Sequence, residues 1–401
     1  MDMNFDAAIM EHTGRTIKVR HQLHRIPELM YQEHRTAALI REELDKLGLA
    51  HIDGVPDAPT ATIALIGDER KPCVALRADI DGLPIEEQTG LEYASTHPGR
   101  MHACGHDGHS AVLLGAAAVL KTIADKLDVC VKLIWQPAEE GGAGAARLVS
   151  AGVLDSRLGP RVHAIFGLHG WPGLPVGTVA TKPGALLAAT DNFQATFIGR
   201  GCHGAFPHLG IDPIVPAAEA VLNLQQVVSR DLDPTEPAVV TIGIFRAGVA
   251  TNVIPDQATI EGTARTLSEP ARRLVQQRIR DRCAAIAAAG GCESRFTWID
   301  GYPPTINDPA MSDYVAAIAR REIGADRFIP VGRPSMGGED FAYYLEKTPG
   351  CFFLVGVQPP GRESYPSLHS NQFDFTDDAL GVGIRMFVGL VANFGLAGAK
   401  V

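Results

Sequence analysis

Apolar positions at the start of this chain recur at helical spacing. Ile17, Leu23 and Ile26 mark a first helix, which Pro27 ends because its ring cannot continue one. Leu39, Ile40, Leu44 and Leu47 mark a second, which stops at Gly48, so residues 8–49 read as a helical pair. Short apolar runs then alternate with helices. The pattern predicts strands at Ala61–Ile66 and Cys73–Arg77, a helix at His109–Leu127, a strand at Val129–Trp135, a helix near Gly144–Ala151 and a strand at Val162–Leu168. Buried strands alternating with helices predict an α/β sheet covered on both faces.

The pattern changes after about residue 186. Asp191–Ile198 alternates as a strand, Pro213–Ser229 reads as helix, and Ala238–Phe245 and Gln257–Thr266 read as paired strands. A helix at Pro270–Ala289 and a strand at Glu293–Ile299 complete the order βαββαβ, the ferredoxin-like arrangement with two helices over one face of a four-stranded sheet. Helix–strand alternation then resumes, with helices near Met311–Ile323 and Asp340–Glu346 and a strand at Cys351–Val357. The expected fold class is therefore α/β. A larger domain, residues 1–185 and 301–401, holds a mixed sheet sandwiched by helices, and a ferredoxin-like domain, residues 186–300, is inserted into it. A length of 401 residues, more than one core holds comfortably, agrees with two domains.

Composition narrows the class. The chain is 46% apolar and 20% charged, as in ordinary globular proteins. Its net charge of −10, with no Lys/Arg run, argues against nucleic acid or an anionic membrane as partner. The N-terminal stretch MDMNFDAAIMEH has no long apolar run and is not expected to be a secretory signal. The apolar stretch Ala111–Leu120 stops at Lys121, short of the ~20 residues that a bilayer requires. Seven cysteines form no CxxC pair, and their odd number favours reduced thiols in a soluble, cytoplasmic protein.

Chemistry concentrates in Met101-His-Ala-Cys-Gly-His-Asp-Gly-His109, which packs three histidines, a cysteine and an aspartate into eight residues. Any one of them alone reads as core filler or hydrogen-bonded core. Together they make a loop able to wrap an ion, and Cys104 and His106 are close enough to serve one centre. Glu139-Glu140 follows the strand VCVKLIWQP. Adjacent carboxylates usually face solvent, but in an open α/β sheet ligands bind beyond the carboxyl ends of the strands. Asp79 closes CVALRAD at such an end and His169 closes VHAIFGLH, whereas His163 lies at the opposite end of that strand and is set aside. One glutamate binding a metal while its neighbour takes a proton from water is a reasonable division of labour, although adjacency does not say which does which. His369, in Ser367-Leu-His-Ser370, is the third piece, since a dinuclear site requires more ligands than the loop and one glutamate supply.

Nine motifs in order resemble the aminoacylase and carboxypeptidase G superfamily of dinuclear metallopeptidases, in its hippurate hydrolase and auxin-conjugate hydrolase branch. They are LRADIDGLPI, MHACGHDGH, QPAEEGGAG, FGLHGWP, GRGCHGAFPH, NVIPD, GTARTL, MGGEDFAYY and LHSNQFDF, and they span nearly the whole chain. The resemblance implies a catalytic metal-binding domain and an inserted lid or dimerisation domain. It implies two divalent ions per subunit, Zn²⁺ or Mn²⁺ with Co²⁺ or Ni²⁺ also suited, held by Cys104, His106, Glu140, His169 and His369, with Glu139 as general base and acid. Arg77 stands where the wider superfamily has a ligand histidine, and Asp79, with Asp107, would orient ligands. In the inserted domain, His203 would polarise the scissile carbonyl across a homodimer (a homotetramer is the larger option). Asn252 and Arg265 would grip the substrate carboxylate, and Gly337-Gly338 would offer backbone amides at a helix start. From its residues alone, Arg265 on a strand reads as a surface ion pair. Cys202, before His203, replaces a more usual glycine.

The implied reaction is metal-dependent hydrolysis of the amide bond of N-acyl amino acids, hippurate being the first choice. Two rivals stand beside it: a cysteine-nucleophile hydrolase using Cys104 with His106 or His109 as base, and a non-catalytic metal- or ligand-binding protein on the same scaffold.

Overall fold

The computed structural model describes residues 5–397, so the outermost residues of the expected larger domain, and the first four of the N-terminal stretch, lie outside it. The chain divides into two compact units. One comprises Met1–Gly184, Ile306–Gly332 and Asp340–Val401; the other comprises Ala185–Thr305 and Arg333–Glu339.

The first unit is built on an eight-stranded sheet. Its strands run in the order His51–Val55, Ala58–Ile66, Cys130–Gln136, Cys73–Asp79, Val162–Pro175, Gly350–Gln358, Val179–Thr181 and Phe328–Pro330. The four strands from Cys130–Gln136 to Gly350–Gln358 are mutually parallel, and antiparallel strands lie on either side of them, so the sheet is mixed. Side-chain alternation splits the central strands between two faces. Val74, Leu76, Ala78, Leu133 and Trp135 join the main core with the helix His106–Thr122, and that helix packs against Asp6–His24 and Leu380–Ala392. Arg77, Lys132 and Gln136 turn to the opposite face, where the short helices Gly144–Ala151 and Ala342–Leu345 pack together.

The second unit is a four-stranded antiparallel sheet in the order Ala238–Ala247, Gln257–Thr266, Ala189–Ile198, Glu293–Ile299. The helices Ile214–Asn223 and Glu269–Ala289 cover one face, burying Phe193, Phe197 and Ile260 against Ala217, Val275 and Ile279. Ser268 caps the longer helix, its hydroxyl accepting the Ala271 N–H.

Several elements depart from the sequence expectations. The helix expected at His109–Leu127 begins at His106 and ends at Thr122. The one expected at Pro213–Ser229 ends at Asn223 and continues in a wider turn, Val227–Asp231, that keeps both Val227 and Leu232 buried. The helix expected over Asp340–Glu346 shrinks to Ala342–Leu345, because Asp340 is drawn inward by Arg77 and Gln136. The last two strands of the sheet, Val179–Thr181 and Phe328–Pro330, are three residues each, too few to leave a readable period.

Buried ion pairs tie the N-terminal helix to the rest. Arg20, fully buried, donates to Asp107 at 2.9 Å and to Asp377 at 2.8 Å and also pairs with Asp374. His24 shares Asp107 through Nδ1 at 2.9 Å. Burial alone would lower its pKa, but Asp107 outweighs burial and raises it to about 9. A folded-state pKa above the ordinary 6.5 means that protonated His24 stabilises the fold, by on the order of 3 kcal/mol. That contribution is complete below the unfolded value and drains away as pH rises through about 9. The gap in urea midpoint between wild type and His24→Gln is therefore expected to be widest near pH 6 and to narrow by pH 10. A gap that does not change with pH would contradict this assignment.

Candidate metal centre

The strand ends position most of the first unit's candidate residues. Asp79 closes Cys73–Asp79, and Glu139 and Glu140 sit just past Cys130–Gln136. The strand bearing His169 does not stop there, as the sequence led one to expect, but runs to Pro175. Its pairing with Cys73–Asp79 ceases at Gly167, while Leu354 of Gly350–Gln358 stays opposite His169. His169 thus lies just past that pairing, whereas His163, near the other end, is exposed and accepts the Cys73 N–H at 3.1 Å.

The glutamate turn is shaped by its backbone. Ala138 is left-handed (φ 57°), and its N–H donates to Glu33 Oε1 at 2.9 Å. A side chain at position 144 would place Cβ 1.8 Å from the Pro137 carbonyl, so glycine is required where the chain turns back. Asp81, 1% exposed, accepts the Glu139 N–H at 3.1 Å and the Glu140 N–H at 2.9 Å. Glu139 Oε1 in turn accepts the Asp340 N–H at 3.3 Å.

Six side chains from four segments converge as overlapping triplets. The donor atoms of Cys104, His106 and His169 lie within 4.8 Å of one another, as do those of Cys104, Glu140 and His369, and those of His106, Glu139 and Glu140. Cys104 Sγ is 3.4 Å from His169 Nε2. His369 is more than half exposed, with left-handed backbone (φ 63°). Its N–H donates to the Ala103 carbonyl at 2.8 Å, pinning its loop to the 101–109 loop. Its Nε2 lies 3.2 Å from Glu140 Oε1, close but without hydrogen-bond alignment.

Hydrogen-bond partners assign the imidazole tautomers. His106 Nδ1 faces Asp81 Oδ1 at 3.1 Å and His169 Nδ1 faces the Gly170 carbonyl at 2.8 Å, so each leaves Nε2 as a lone pair. His106 Nε2 is buried and, among the described residues, has no hydrogen-bond partner. His109 differs: Nδ1 donates to Asp79 Oδ1 at 2.7 Å and Nε2 accepts the Gly170 N–H at 2.8 Å, so both nitrogens are engaged. Asp79 therefore orients His109, not an expected ligand, and its other oxygen receives Arg77 Nη1 at 2.7 Å. Asp107 faces Arg20 and His24 instead. Arg77, fully buried where the superfamily resemblance placed a missing histidine, also donates to Gln136 and Asp340.

The charge balance calls for a cation. Burial lowers the His106 pKa, yet Asp79, Asp81 and Glu140 overcome it and push it up to about 10. Burial and then Glu140, Glu139 and Asp79 hold the Cys104 thiol well above its ordinary range. A raised thiol is a poor nucleophile, and its close imidazole is His169 rather than the expected His106 or His109. Thiolate, imidazole and carboxylate donors around an orphaned buried nitrogen fit a divalent metal, which would bind in place of those protons.

In the second unit, His203 and Asn252 sit on a small ribbon in which Val253 pairs with His203 and Gly204 donates to the Asn252 carbonyl at 2.8 Å. His203 Nδ1 accepts the Ala205 N–H at 3.0 Å, leaving Nε2–H as a donor. Arg265 is half-buried and, among the described residues, forms no ion pair. Its one hydrogen bond runs to the Ala264 carbonyl at 3.4 Å, against the surface ion pair its position suggested. Gly337-Gly338 does not open a helix, since the nearest begins at Ala342. The Gly337 N–H donates to Ser335 Oγ at 3.1 Å, and a Cβ on Gly338 would meet Thr190 at 2.1 Å, so close packing accounts for that glycine. Cys202 is a free, partly exposed thiol.

Asp81 and Glu33 were missed by the sequence reading. Asp81 had a faint signal, a second carboxylate two residues past Asp79 at a strand end; Glu33, distant in sequence, had none.

A mixed sheet with thiol, imidazole and carboxylate donors gathered beyond its parallel strands defines a metal-dependent amidohydrolase. The profile of Peptidase family M20/M25/M40 matches residues 75–393, and the chain belongs to that family. It is 43% identical over 346 residues to an N-acetyl-L-cysteine deacetylase of Bacillus subtilis (strain 168), covering 85% of this chain and 80% of the relative. It is 38% identical over 382 residues to the IAA-amino acid hydrolase ILR1-like 4 of Arabidopsis thaliana, covering 94% and 85%. The crystal structure of the Bacillus subtilis YXEP protein, described as a dinuclear metal binding peptidase of the M20 family, superposes with a TM-score of 0.83 at 38% identity, covering 96% of this chain and 98% of that one.

Cys104→Ser and His169→Ala are each expected to weaken divalent-metal binding at least ~10-fold, measured by chelator competition, while His163→Ala leaves it unchanged. Equal losses in all three would contradict the strand-end geometry.

Proposed function

We propose that the protein hydrolyses N-acyl amino acids to a carboxylic acid and a free amino acid, with hippurate-like aryl conjugates and N-acetyl amino acids as the substrate class. The carrying observation is the difference between two adjacent glutamates: both share a donor group with His106, but of the two Glu140 also lies with Cys104 and His369, while buried Glu139 is aligned by the Asp340 amide. The names of the relatives, an N-acetyl-L-cysteine deacetylase and an IAA-amino acid hydrolase, support the same bond type.

We assign Cys104, His106, Glu140, His169 and His369 as ligands of two divalent ions, Zn²⁺ or Mn²⁺, with Co²⁺ and Ni²⁺ also compatible with the donors. Bound there, the ions would polarise the scissile carbonyl and lower the pKa of the attacking water toward ~7. Glu139 takes the proton from that water and delivers it to the amide nitrogen as the C–N bond breaks, so its carboxylate is restored at the end of the cycle. His203, through its open Nε2–H, steadies the negative charge that develops on the carbonyl oxygen, donated across a homodimer. Arg265, which among the described residues has no carboxylate ion-pair partner, is assigned with Asn252 to the substrate carboxylate, and the Gly337-Gly338 segment completes the substrate contacts. Asp79 supports the centre through His109. Among the described residues, no helix is long and apolar enough to cross a membrane, and seven free thiols support a reducing, cytoplasmic setting.

Glu139→Gln is expected to keep its metal content by elemental analysis while kcat on hippurate falls roughly 10²–10⁴-fold. A metal-free variant protein would overturn the split between the two glutamates. Arg265→Ala is expected to raise KM for hippurate by about tenfold or more, the worth of one charged hydrogen bond. A benzoyl amide without a carboxylate should show no such loss, and equal losses on both would contradict the assignment.

A further inference from the structure

Asp81 makes an unusual set of bonds for one carboxylate. Its Oδ1 accepts from His106 Nδ1 at 3.1 Å and from the Glu139 amide at 3.1 Å, and its Oδ2 accepts from the Glu140 amide at 2.9 Å. It is buried, and among the described residues it belongs to none of the donor groups close enough to share an ion. We infer that Asp81 is a positioning residue that fixes His106 in the tautomer offering Nε2 and splits Glu139 from Glu140 into separate roles.

The argument rests on the metal-hydrolase reading above and runs through two consequences. A carboxylate accepting at Nδ1 leaves His106 a lone pair only on Nε2, the nitrogen that is buried and, among the described residues, without a hydrogen-bond partner. Holding both glutamate amides on one side chain also fixes the backbone of the kinked turn, where Glu140 departs from helical geometry (φ −74°, ψ 68°). From that turn both glutamates come close to His106, but of the two Glu140 also reaches the Cys104 and His369 group, while Glu139 accepts the Asp340 amide. Adjacency alone leaves the two carboxylates interchangeable, and Asp81 removes that degeneracy. An asparagine of the same size presents one accepting oxygen and two N–H groups to three donors, so it cannot reproduce the bonds.

The test compares wild type, Asp81→Asn and Asp81→Ala. Zn²⁺ alone is titrated against a competing chelator, kcat and KM are measured at saturating Zn²⁺, and the imidazole ¹⁵N signals are recorded on the Zn²⁺-loaded protein. Both variants are expected to bind Zn²⁺ at least ~10-fold more weakly, with kcat reduced and KM within about twofold of wild type. In wild type, His106 is expected to carry its proton on Nδ1, a readout that requires neither turnover nor a folded variant. A proton on Nε2 in wild type would overturn the inference. So would an Asp81→Asn protein with wild-type Zn²⁺ affinity and kcat. Failure of the broader reading looks different: wild type itself would bind no Zn²⁺.

Discussion

Buried negative charge at the carboxyl end of the central sheet governs the rest of this structure. Asp79, Asp81, Glu139 and Glu140 are brought together from two strand ends, the first three of them buried. Isolated carboxylates in such surroundings cost several kcal/mol each unless they are paired or hydrogen-bonded. Arg77 and His109 serve Asp79, while backbone amides serve Asp81 and Glu139. What stays uncompensated collects around His106, whose proton is held unusually tightly for a buried imidazole. A divalent cation answers that imbalance better than a proton, because thiol, imidazole and carboxylate donors surround the same spot.

The scaffold spends buried cations to hold that arrangement. Arg20 ties the helix Asp6–His24 to the helix bearing His106 through Asp107 and to the segment 374–377 through Asp374 and Asp377. Arg77 ties the end of its strand to Gln136 and Asp340, whose amide aligns Glu139. The same arginine stands where the resemblance marked a lost histidine ligand. In this chain the position braces the residues beside it, donating to Asp79, Gln136 and Asp340.

Much of this was legible in the sequence because buried strands and a dense run of histidine, cysteine and aspartate leave local signatures. The alternation of Asp191–Ile198 and the apolar run of Cys73–Asp79 each announce a strand, and the dense cluster at 101–109 supplies Cys104 and His106 to the gathered donor groups. Less was legible where long-range contacts override local pattern. His169 reads as a strand terminus because Gly170 and Pro172 follow, yet pairing with Gly350–Gln358 carries the strand on to Pro175. Gly337-Gly338 reads as a helix-start anion site, but Asp340 is pulled inward and the helix begins only at Ala342. The third histidine of the 101–109 cluster, His109, serves as a brace, which only the partner of each ring nitrogen reveals. Glu33 supports Ala138 from 105 residues away, a separation no local pattern encodes.

Anomalous diffraction from crystals of the enzyme grown with Zn²⁺ or Mn²⁺, recorded at the metal's absorption edge, tests the central claim most directly. The account predicts two strong peaks among Cys104, His106, Glu140, His169 and His369, with none on Asp81 or between the nitrogens of His109 and their partners. Peaks elsewhere, or a fully active crystal without an anomalous signal at this cluster, would contradict it.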